Sequence, residues 1–547
     1  MKIVIVGGVA GGASAAAKAR RVNEEADIVI FERGPYVSFA NCGLPYYIAG
    51  EITDQSRLLV ANPKMFWDKY RVHVNIEHEV LSIDREKKTV QVKRLQSGDV
   101  FEETYDKLIL AQGAQPIRPS LEGLDQDFVF TLRDIPDMLR IDDYIKDHQV
   151  RSAVVVGGGF IGLEMAEAFN RRGIHVDLIE RNRHVMPMVD DDLANEFETV
   201  MTEGAELKVW SDVNMTGIGD GEVRLSNDQT IKTDLVLMSV GVNPEVELAK
   251  EAGIELGKTG GVLVNGRMES SDSDVYAVGD AAECYHRVTG QRVRIPLAGP
   301  ANRQGRVAGE NAVGGHVNYA GVMGTAIVRM HKATLAMTGL SPRQIESSGL
   351  NFFRSTTKDL SHAGYYPGAK AITTRLFVEE GSGRLLGAQI IGEEGVDKRI
   401  DVMATAIAGK MNVRDLDGID FAYSPPFGSA VDAVNTAGRV ADHVLTGKLK
   451  TLQPDDLQDF KGQIVDVREQ SEWDAGHIQG AQHIRLSMVR EQLDQLDRAE
   501  PILVYCQKGL RGYAACRILD QNGFDVANLS GGFAQVEADP DSRSLIE

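Results

Sequence analysis

The sequence predicts an α/β fold built from several units, and three observations carry that prediction. A strand, a glycine turn, a helix and a second strand ending on an acid run from Lys2 to Glu32. The same succession returns from Ser152 to Glu180. A third strand–loop–helix unit, ILVYC followed by QKGLR and GYAACRIL, stands near the C-terminus. At 547 residues and 43% hydrophobic content, the chain has room for three or four domains, each with its own core.

In the first unit, Lys2–Val6 is a short apolar run that reads as a buried strand. GGVAGG follows, then the alanine-rich stretch ASAAAKARR, then an apolar run from Asp27 to Phe31 that closes on Glu32. Gly7, Gly8, Gly11 and Gly12 are expected to let the backbone approach a pyrophosphate at a helix N-terminus, which favours negative charge. Glu32 is placed to hold an adenosine ribose. The middle glycine of GxGxxG is Val9 here. The second unit, SAVVVGGGFIGLEMAEAF, has the complete motif in Gly157, Gly159 and Gly162, and VDLIE ends on Glu180. Two such units, each closing on an acid, predict two Rossmann-like dinucleotide sites. A carboxylate at Glu180 accepts from ribose hydroxyls and repels a 2′-phosphate, which favours NADH over NADPH. Arg181 and Arg183 follow at once and temper that preference.

The formal net charge of −20 argues against non-specific nucleic-acid binding and against a basic membrane-binding surface. No uncharged apolar run reaches bilayer-spanning length, and MKIVIVGG has no signal-peptide shape. The four cysteines, Cys42, Cys284, Cys506 and Cys516, are scattered and include no CxxC. No disulfide framework and no metal site is expected, and a cytoplasmic location follows as the default. Cys284 and Cys516 read as packed thiols.

Two more segments, YDKLILAQGAQP at 105–116 and SDVYAVGDAAE at 273–283, each carry a strand into a glycine turn. With the two glycine turns they resemble the FAD/NAD-linked disulfide reductase superfamily. The resemblance implies FAD at the first site and NADH at the second, with Asp280 hydrogen-bonding the ribityl chain of FAD. The residues alone equally allow Asp280 as a helix N-cap. It also implies a layout: an FAD-binding domain over 1–150 and 266–325, an NAD(H)-binding domain over 151–265, and an α+β dimerisation domain over 326–448 that makes a homodimer.

Cys42 stands in SFANCGLPYY. Many such reductases carry CxxxxC here, but the residue five on is Tyr47. An internal disulfide cannot form, so the thiol must cycle through a mixed disulfide, a persulfide or a sulfenic acid. Asn41, Gly43, Leu44 and Pro45, together with HAGYYPGAK at 362–370 and FAYSPPFGSAVDAVNTAG at 421–438, resemble coenzyme A disulfide reductases. That resemblance implies a mixed disulfide between Cys42 and coenzyme A, substrate contacts at Ser38 and Asn41, and Arg303 neutralising a coenzyme A phosphate. It also implies that Tyr423 and Tyr366, with Tyr365 adjoining, reach the site from the other subunit as proton donors. Interface aromatics and a solvated helix face are the structural readings of the same tyrosines and arginine.

Composition changes over 449–460, a polar stretch expected as a linker to a last domain at 461–547. There ILVYC delivers Cys506 to a strand tip. Loop N–H groups pointing inward would make a nest for an anionic sulfur, to which Lys508 and Arg511 add positive charge. DVRE, GHIQGAQHI, CQKGLR and LSGGF resemble rhodanese, and the six-residue loop from Cys506 to Arg511 implies sulfur rather than phosphate. Asp466 and Arg468 are expected to fix that loop.

The whole chain thus resembles the fused CoA-disulfide-reductase–rhodanese family. The resemblance implies NADH-dependent reduction of CoA persulfide, polysulfide and CoA disulfide through catalytic Cys42, with Cys506 transferring sulfane sulfur. Three rivals stand beside it: a plain CoA disulfide reductase, an NADH oxidase or peroxidase using a sulfenic acid, and a low-turnover redox sensor or sulfur carrier.

Overall fold

The computed structural model describes residues 1–547. By contact the chain divides into two compact units, Met1–Arg181 with Glu206–Val322, and Asn182–Ala205 with Met323–Glu547.

The first unit holds two five-stranded parallel sheets. In the first, the strands run in the order Val275–Ala277, Lys107–Leu110, Lys2–Val6, Asp27–Glu32 and His73–Ile76. Lys2–Val6 is central and buried, which is why it reads as an unbroken apolar run rather than an alternating one. The Ala10–Val22 helix packs on this sheet and against the Ala298–Ala312 helix. The two helices meet through small residues: a Cβ on Gly305 would lie 2.2 Å from the Gly11 carbonyl oxygen, and one on Gly309 2.2 Å from that of Ala15. The second sheet has the order Leu207–Trp210, His175–Ile179, Ser152–Val156, Leu235–Met238 and Val129–Phe130. In both sheets the glycine turn leaves the C-terminal end of a central strand, where open α/β sheets bind ligands.

The second unit joins an antiparallel five-stranded sheet to a parallel one. The antiparallel order is Ala326–Met330, Ala333–Gly339, Leu385–Gly392, Ala371–Glu379 and Phe352–Leu360, covered by the Val396–Ala408 and Ala433–Leu445 helices. Phe352–Leu360 is an edge strand, and the C-terminal domain covers it. The Thr356 N–H donates to Ser530 Oγ at 3.3 Å, and Gln453 Nε2 donates to the Arg354 carbonyl at 3.2 Å. Covering an edge satisfies groups that would otherwise pair with another chain. The parallel sheet has the order Lys450–Leu452, Val526–Leu529, Ile502–Tyr505, Gln463–Asp466 and Gln482–His483.

Two features depart from the sequence-based layout. The stretch 449–460, expected as a linker, is built into the last domain: Lys450–Leu452 pairs in parallel with Val526–Leu529, and Leu457 is buried. The Asp191–Thr202 helix lies in sequence within the second nucleotide-binding unit, yet its contacts group it with the second compact unit. Its acids explain this. Glu196 receives Lys358 Nζ at 2.7 Å and Thr373 Oγ1 at 2.6 Å, and Asp192 receives the buried Arg375. No helix is long and apolar enough to cross a membrane.

Candidate active site

The two glycine turns repeat one geometry. Gly7 sits at φ +94° and Gly157 at φ +105°, where a side chain would be strained, and a Cβ on Gly12 or Gly162 would come within 1.9 Å of the Gly7 or Gly157 carbonyl oxygen. Val9 stands in for the middle glycine at φ −89° and ψ −127°, outside the regular helical and extended regions, and the turn still closes, with the Ala13 N–H on the Val9 carbonyl at 3.1 Å. Each terminal acid ties back to its turn. Glu32 accepts the Gly8 N–H and Glu180 the Gly158 N–H, both at 2.8 Å. Burial pushes the Glu32 carboxyl up, and the N–H groups of Gly8 and Gly34 oppose that. A Cβ on Gly159 would meet only open space, which leaves room beside the second turn.

The first turn continues into a polar cradle. Arg133 donates Nη2 to the Gln112 carbonyl at 3.2 Å and pairs through Nη1 with Glu245 at 2.9 Å. Burial pushes the Asp280 carboxyl up, and the charges of Arg294 and Arg133 oppose it. Buried Gln112 Oε1 and Arg294 Nε and Nη1 have no protein partner. Orphaned buried donors and acceptors beside a phosphate-binding turn fit FAD, whose pyrophosphate, ribityl hydroxyls and flavin ring carry complementary groups. Glu32, Gln112, Asp280 and Arg294 would hold it. Glu180 with Gly157, Gly159 and Gly162 would hold NADH.

Cys42 lies in a short turn, Asn41–Gly43, at the start of the Leu44–Ile48 helix, and it is exposed. Ser38 precedes it at φ +49°, a left-handed conformation unusual for serine, with its N–H on the Gly8 carbonyl at 2.9 Å. This hydrogen bond ties the cysteine segment to the first glycine turn. Asn41 is exposed beside the thiol. A thiol near a helix start usually acidifies. Here the surroundings push it up: desolvation first, then the carboxylates of Glu164 and Asp280. Glu164 was not singled out from the sequence. It sits in the Phe160–Arg171 helix, accepts the Tyr46 hydroxyl at 3.4 Å, and is pushed by burial to about 7. Its signal is an acid inside the apolar start GFIGLEMA, where a core helix would carry none. Arg303 is exposed, as is Arg306 on the same helix, while Gln304 between them is buried and accepts the Gly279 N–H at 2.7 Å. Cys284 is buried, its thiol pushed up to about 11.

The tyrosines lie in two loops of the second unit. Arg399, 1% exposed, forks onto Asp432 at 3.0 and 2.9 Å and donates to the Ser361 carbonyl at 2.9 Å, while the Ala363 N–H reaches the Gly428 carbonyl at 3.0 Å. These bonds hold the two loops together. The hydroxyls of Tyr365 and Tyr423 meet at 2.6 Å, and this contact pushes Tyr365 up. The structure therefore pairs Tyr365, not Tyr366, with Tyr423. Tyr366 instead meets His362 in a T-shaped contact, with centroids 5.6 Å apart.

Cys506 is buried at the tip of Ile502–Tyr505, and its Sγ accepts the Gly509 N–H at 3.1 Å. Inward N–H groups require outward carbonyls, and those carbonyls are tied. Phe533 N–H holds the Cys506 carbonyl at 2.8 Å, Ala534 N–H that of Gln507 at 3.1 Å, and Asn528 Nδ2 that of Gly509 at 3.2 Å. Arg468 forks onto Asp466 and donates Nη1 to Gln507 Oε1 at 3.1 Å, so the pair braces the loop. Arg511 is engaged by Glu472 at 2.7 and 2.6 Å, which holds that carboxyl down at about 2, and Lys508 is exposed. Cys516 is buried and its thiol is pushed far up by desolvation.

Residues 1–305 match the family Pyridine nucleotide-disulphide oxidoreductase, 325–434 its dimerisation domain, and 449–539 the Rhodanese-like domain. A coenzyme A disulfide reductase of Staphylococcus aureus (strain NCTC 8325 / PS 47) is 33% identical over 438 residues, covering 80% of this chain and 99% of that protein. The reduced CoADR-RHD of Bacillus anthracis superposes with a TM-score of 0.97 at 40% identity, over 99% of this chain and 98% of that one. The chain belongs to the fused coenzyme A disulfide reductase–rhodanese family. An NAD-dependent persulfide reductase from A. fulgidus is a further member of similar build, with a TM-score of 0.91 and 35% identity over 98% of this chain and 100% of that one. Membership makes the chain an oxidoreductase using FAD and NADH, in keeping with the two cradles.

Proposed function

We propose that this enzyme reduces CoA persulfide, polysulfide and CoA disulfide with NADH, working as a homodimer in the cytoplasm, with Cys506 supplying sulfane sulfur to coenzyme A. The observation that carries the reading is the presence in one chain of two different sulfur nucleophiles. Cys42 is solitary and exposed beside the flavin cradle, and Cys506 is buried in a ring of tied loop carbonyls. A plain CoA disulfide reductase has no use for the second.

Cys506 thiolate takes the terminal sulfur of a polysulfide, becoming Cys506–S–S⁻ and releasing the shortened donor. A CoA thiolate then takes that outer sulfur, giving CoA–S–S⁻ and restoring the Cys506 thiolate. The pantetheine arm carries the sulfur onward. Cys42 thiolate attacks the sulfur bonded to CoA, forming Cys42–S–S–CoA and expelling sulfide, which takes up a proton. FAD, when bound, supplies to this disulfide the two electrons it receives from NADH. Two electrons and one proton then leave Cys42 as thiolate and release CoA–SH. The net change is NADH, a proton and CoA–S–SH giving NAD⁺, CoA–SH and H₂S. Ser38 and Asn41 position the substrate sulfur, Arg303 faces a CoA phosphate, and Tyr423, hydrogen-bonded to Tyr365, holds a proton for the departing thiolate of the partner subunit's site.

The test is anaerobic stopped-flow of NADH-reduced enzyme mixed with CoA persulfide, CoA disulfide or peroxide, for the unaltered protein and Cys42→Ser. Fastest flavin reoxidation by persulfide, lost in Cys42→Ser, is expected. Fastest reoxidation by the disulfide makes thiol maintenance the main task, and fastest reoxidation by peroxide makes the enzyme a peroxidase. Equal rates in Cys42→Ser overturn the role of Cys42.

A further inference from the structure

We infer that Gln535 is a positioning residue for the sulfur loop of Cys506, and that the anchor it uses belongs to the reductase part of the chain. This rests on the reading of Cys506 as a sulfur-transferring thiol.

The inference starts from how the loop is held so that the Gly509 N–H reaches the sulfur. The Cys506 and Gln507 carbonyls are caught by the N–H groups of Phe533 and Ala534, the first residues of the Phe533–Ala538 helix. Gly532 lies so close that a Cβ there would sit 2.4 Å from the Cys506 carbonyl oxygen. The start of this helix is therefore the jaw that sets the loop, and any shift of the helix moves the Cys506–Gly509 backbone and with it the Gly509 N–H that reaches Sγ.

A helix of six residues needs something to hold it. Gln535, with no exposed surface, donates Nε2 to Asp192 Oδ2 at 2.8 Å. Asp192 belongs to the Asp191–Thr202 helix, which in sequence follows the second nucleotide-binding strand. It is gripped in turn by Arg375, which donates Nη1 to Oδ1 at 2.6 Å and Nη2 to Oδ2 at 2.7 Å. Arg375 also reaches Asp190 Oδ2 at 2.7 Å and Thr356 Oγ1 at 2.9 Å, and the Thr356 N–H holds Ser530 Oγ in the LSGGF turn just before the jaw. Asp190, Asp192, Thr356, Arg375, Ser530 and Gln535 are all buried. A charge-assisted network of this kind has little freedom to move. The jaw is thus referenced at two points, Ser530 and Gln535, to residues that a free-standing sulfurtransferase domain would not possess.

Gln535→Leu removes the anchor while keeping the side chain's size, and it leaves Asp192 paired to Arg375. In the full-length holoenzyme, Cys506-dependent sulfur transfer from thiosulfate to cyanide is expected to fall about 10–100-fold, the cost of a small misplacement of a reacting group. The pH profile of Cys506 alkylation, followed by mass spectrometry of its peptide, is expected to move to higher pH. NADH-driven reduction of CoA disulfide is expected to stay within about twofold, well short of a factor of ten. An unchanged transfer rate and alkylation profile in Gln535→Leu overturn the inference, as does equal loss of both activities. If Cys506→Ser transfers sulfur as well as the unaltered enzyme, it is the reading of Cys506 that fails.

Discussion

Arg375→Met should strongly destabilise the C-terminal half. It removes four hydrogen bonds, to Thr356, to Asp190 and twice to Asp192, from a guanidinium that is 1% exposed. The larger effect is what remains. Burial pushes Asp190 up while Arg375 holds Asp192 down, so without the cation the fold would enclose up to two carboxylates with only the charge of Arg354, to which neither is hydrogen-bonded, to oppose them. Breaking a buried pair from one side costs about 3–5 kcal/mol. Spread over a unit of roughly 250 residues, that lowers the melting temperature by about 6–20 °C. The sign of the pH dependence follows. In the variant both acids have folded pKa values above their unfolded ones, so the fold is least harmed where they are protonated and loses stability as pH rises. Calorimetry of the holoenzyme at pH 5 and pH 8 should show the larger deficit at pH 8. Neutralising the acids as well, in Asp190→Asn/Asp192→Asn/Arg375→Met, should recover more than half of it. A loss below about 1 kcal/mol, or one independent of pH, would refute the argument, because a solvated surface pair behaves that way.

Three further outcomes follow from other groups. Asp359 is pushed up to about 6 by burial, against the charges of Arg399 and Lys508, and its Oδ2 has no partner. A raised folded pKa makes its ionised form a burden that grows as pH rises from its unfolded value through about 6, so Asp359→Asn should stabilise by about 1–3 kcal/mol at pH 8 and by nothing at pH 4. Glu164→Gln removes a charge that pushes Cys42 up, so alkylation of Cys42 should be faster than in the unaltered enzyme at pH 8, with the two rates converging below the value of about 7 at which Glu164 takes its proton; equal rates at pH 8 would remove Glu164 from the thiol's surroundings. Tyr423→Phe and Tyr365→Phe should each slow steady-state reduction of CoA disulfide, by up to about 10²-fold if one proton donor is lost, while Tyr366→Phe leaves it unchanged. The reverse pattern would return the role to Tyr366.

The parts of the molecule legible in the sequence are those whose determinants are local. Both glycine turns and their acids fall within a single strand–turn–helix–strand unit, and the sulfur loop within a single strand–loop–helix unit, so spacing alone places them. Tyr365 and Tyr366 cannot be told apart that way, because the partner that distinguishes them, Tyr423, is brought near by the Arg399 clamp between distant loops. The Asp191–Thr202 helix misleads for a related reason. Acids in a first turn complement the helix dipole and usually face water. Nothing local signals that Asp192 is buried against an arginine 183 positions away. Glu164 was legible in principle, as an acid in an apolar helix start, but its closeness to Cys42 depends on two separate segments folding together.

The Asp192 cluster also has a consequence for synthesis. Its components leave the ribosome in a fixed sequence, and the last one, Gln535, lies 343 positions after Asp192. At about 5–20 residues per second, Asp192 waits roughly 20–70 s for Gln535. Until Arg375 is made the nascent chain carries acids with no partner for their charge, and until Gln535 is made the cluster lacks its last member. The N-terminal nucleotide fold can mature early, whereas the other half is sealed only once Gln535 has been made. A stalled or truncated product would therefore pair a well-formed nucleotide-binding half with an unsealed remainder, a state that proteases distinguish readily from the finished enzyme.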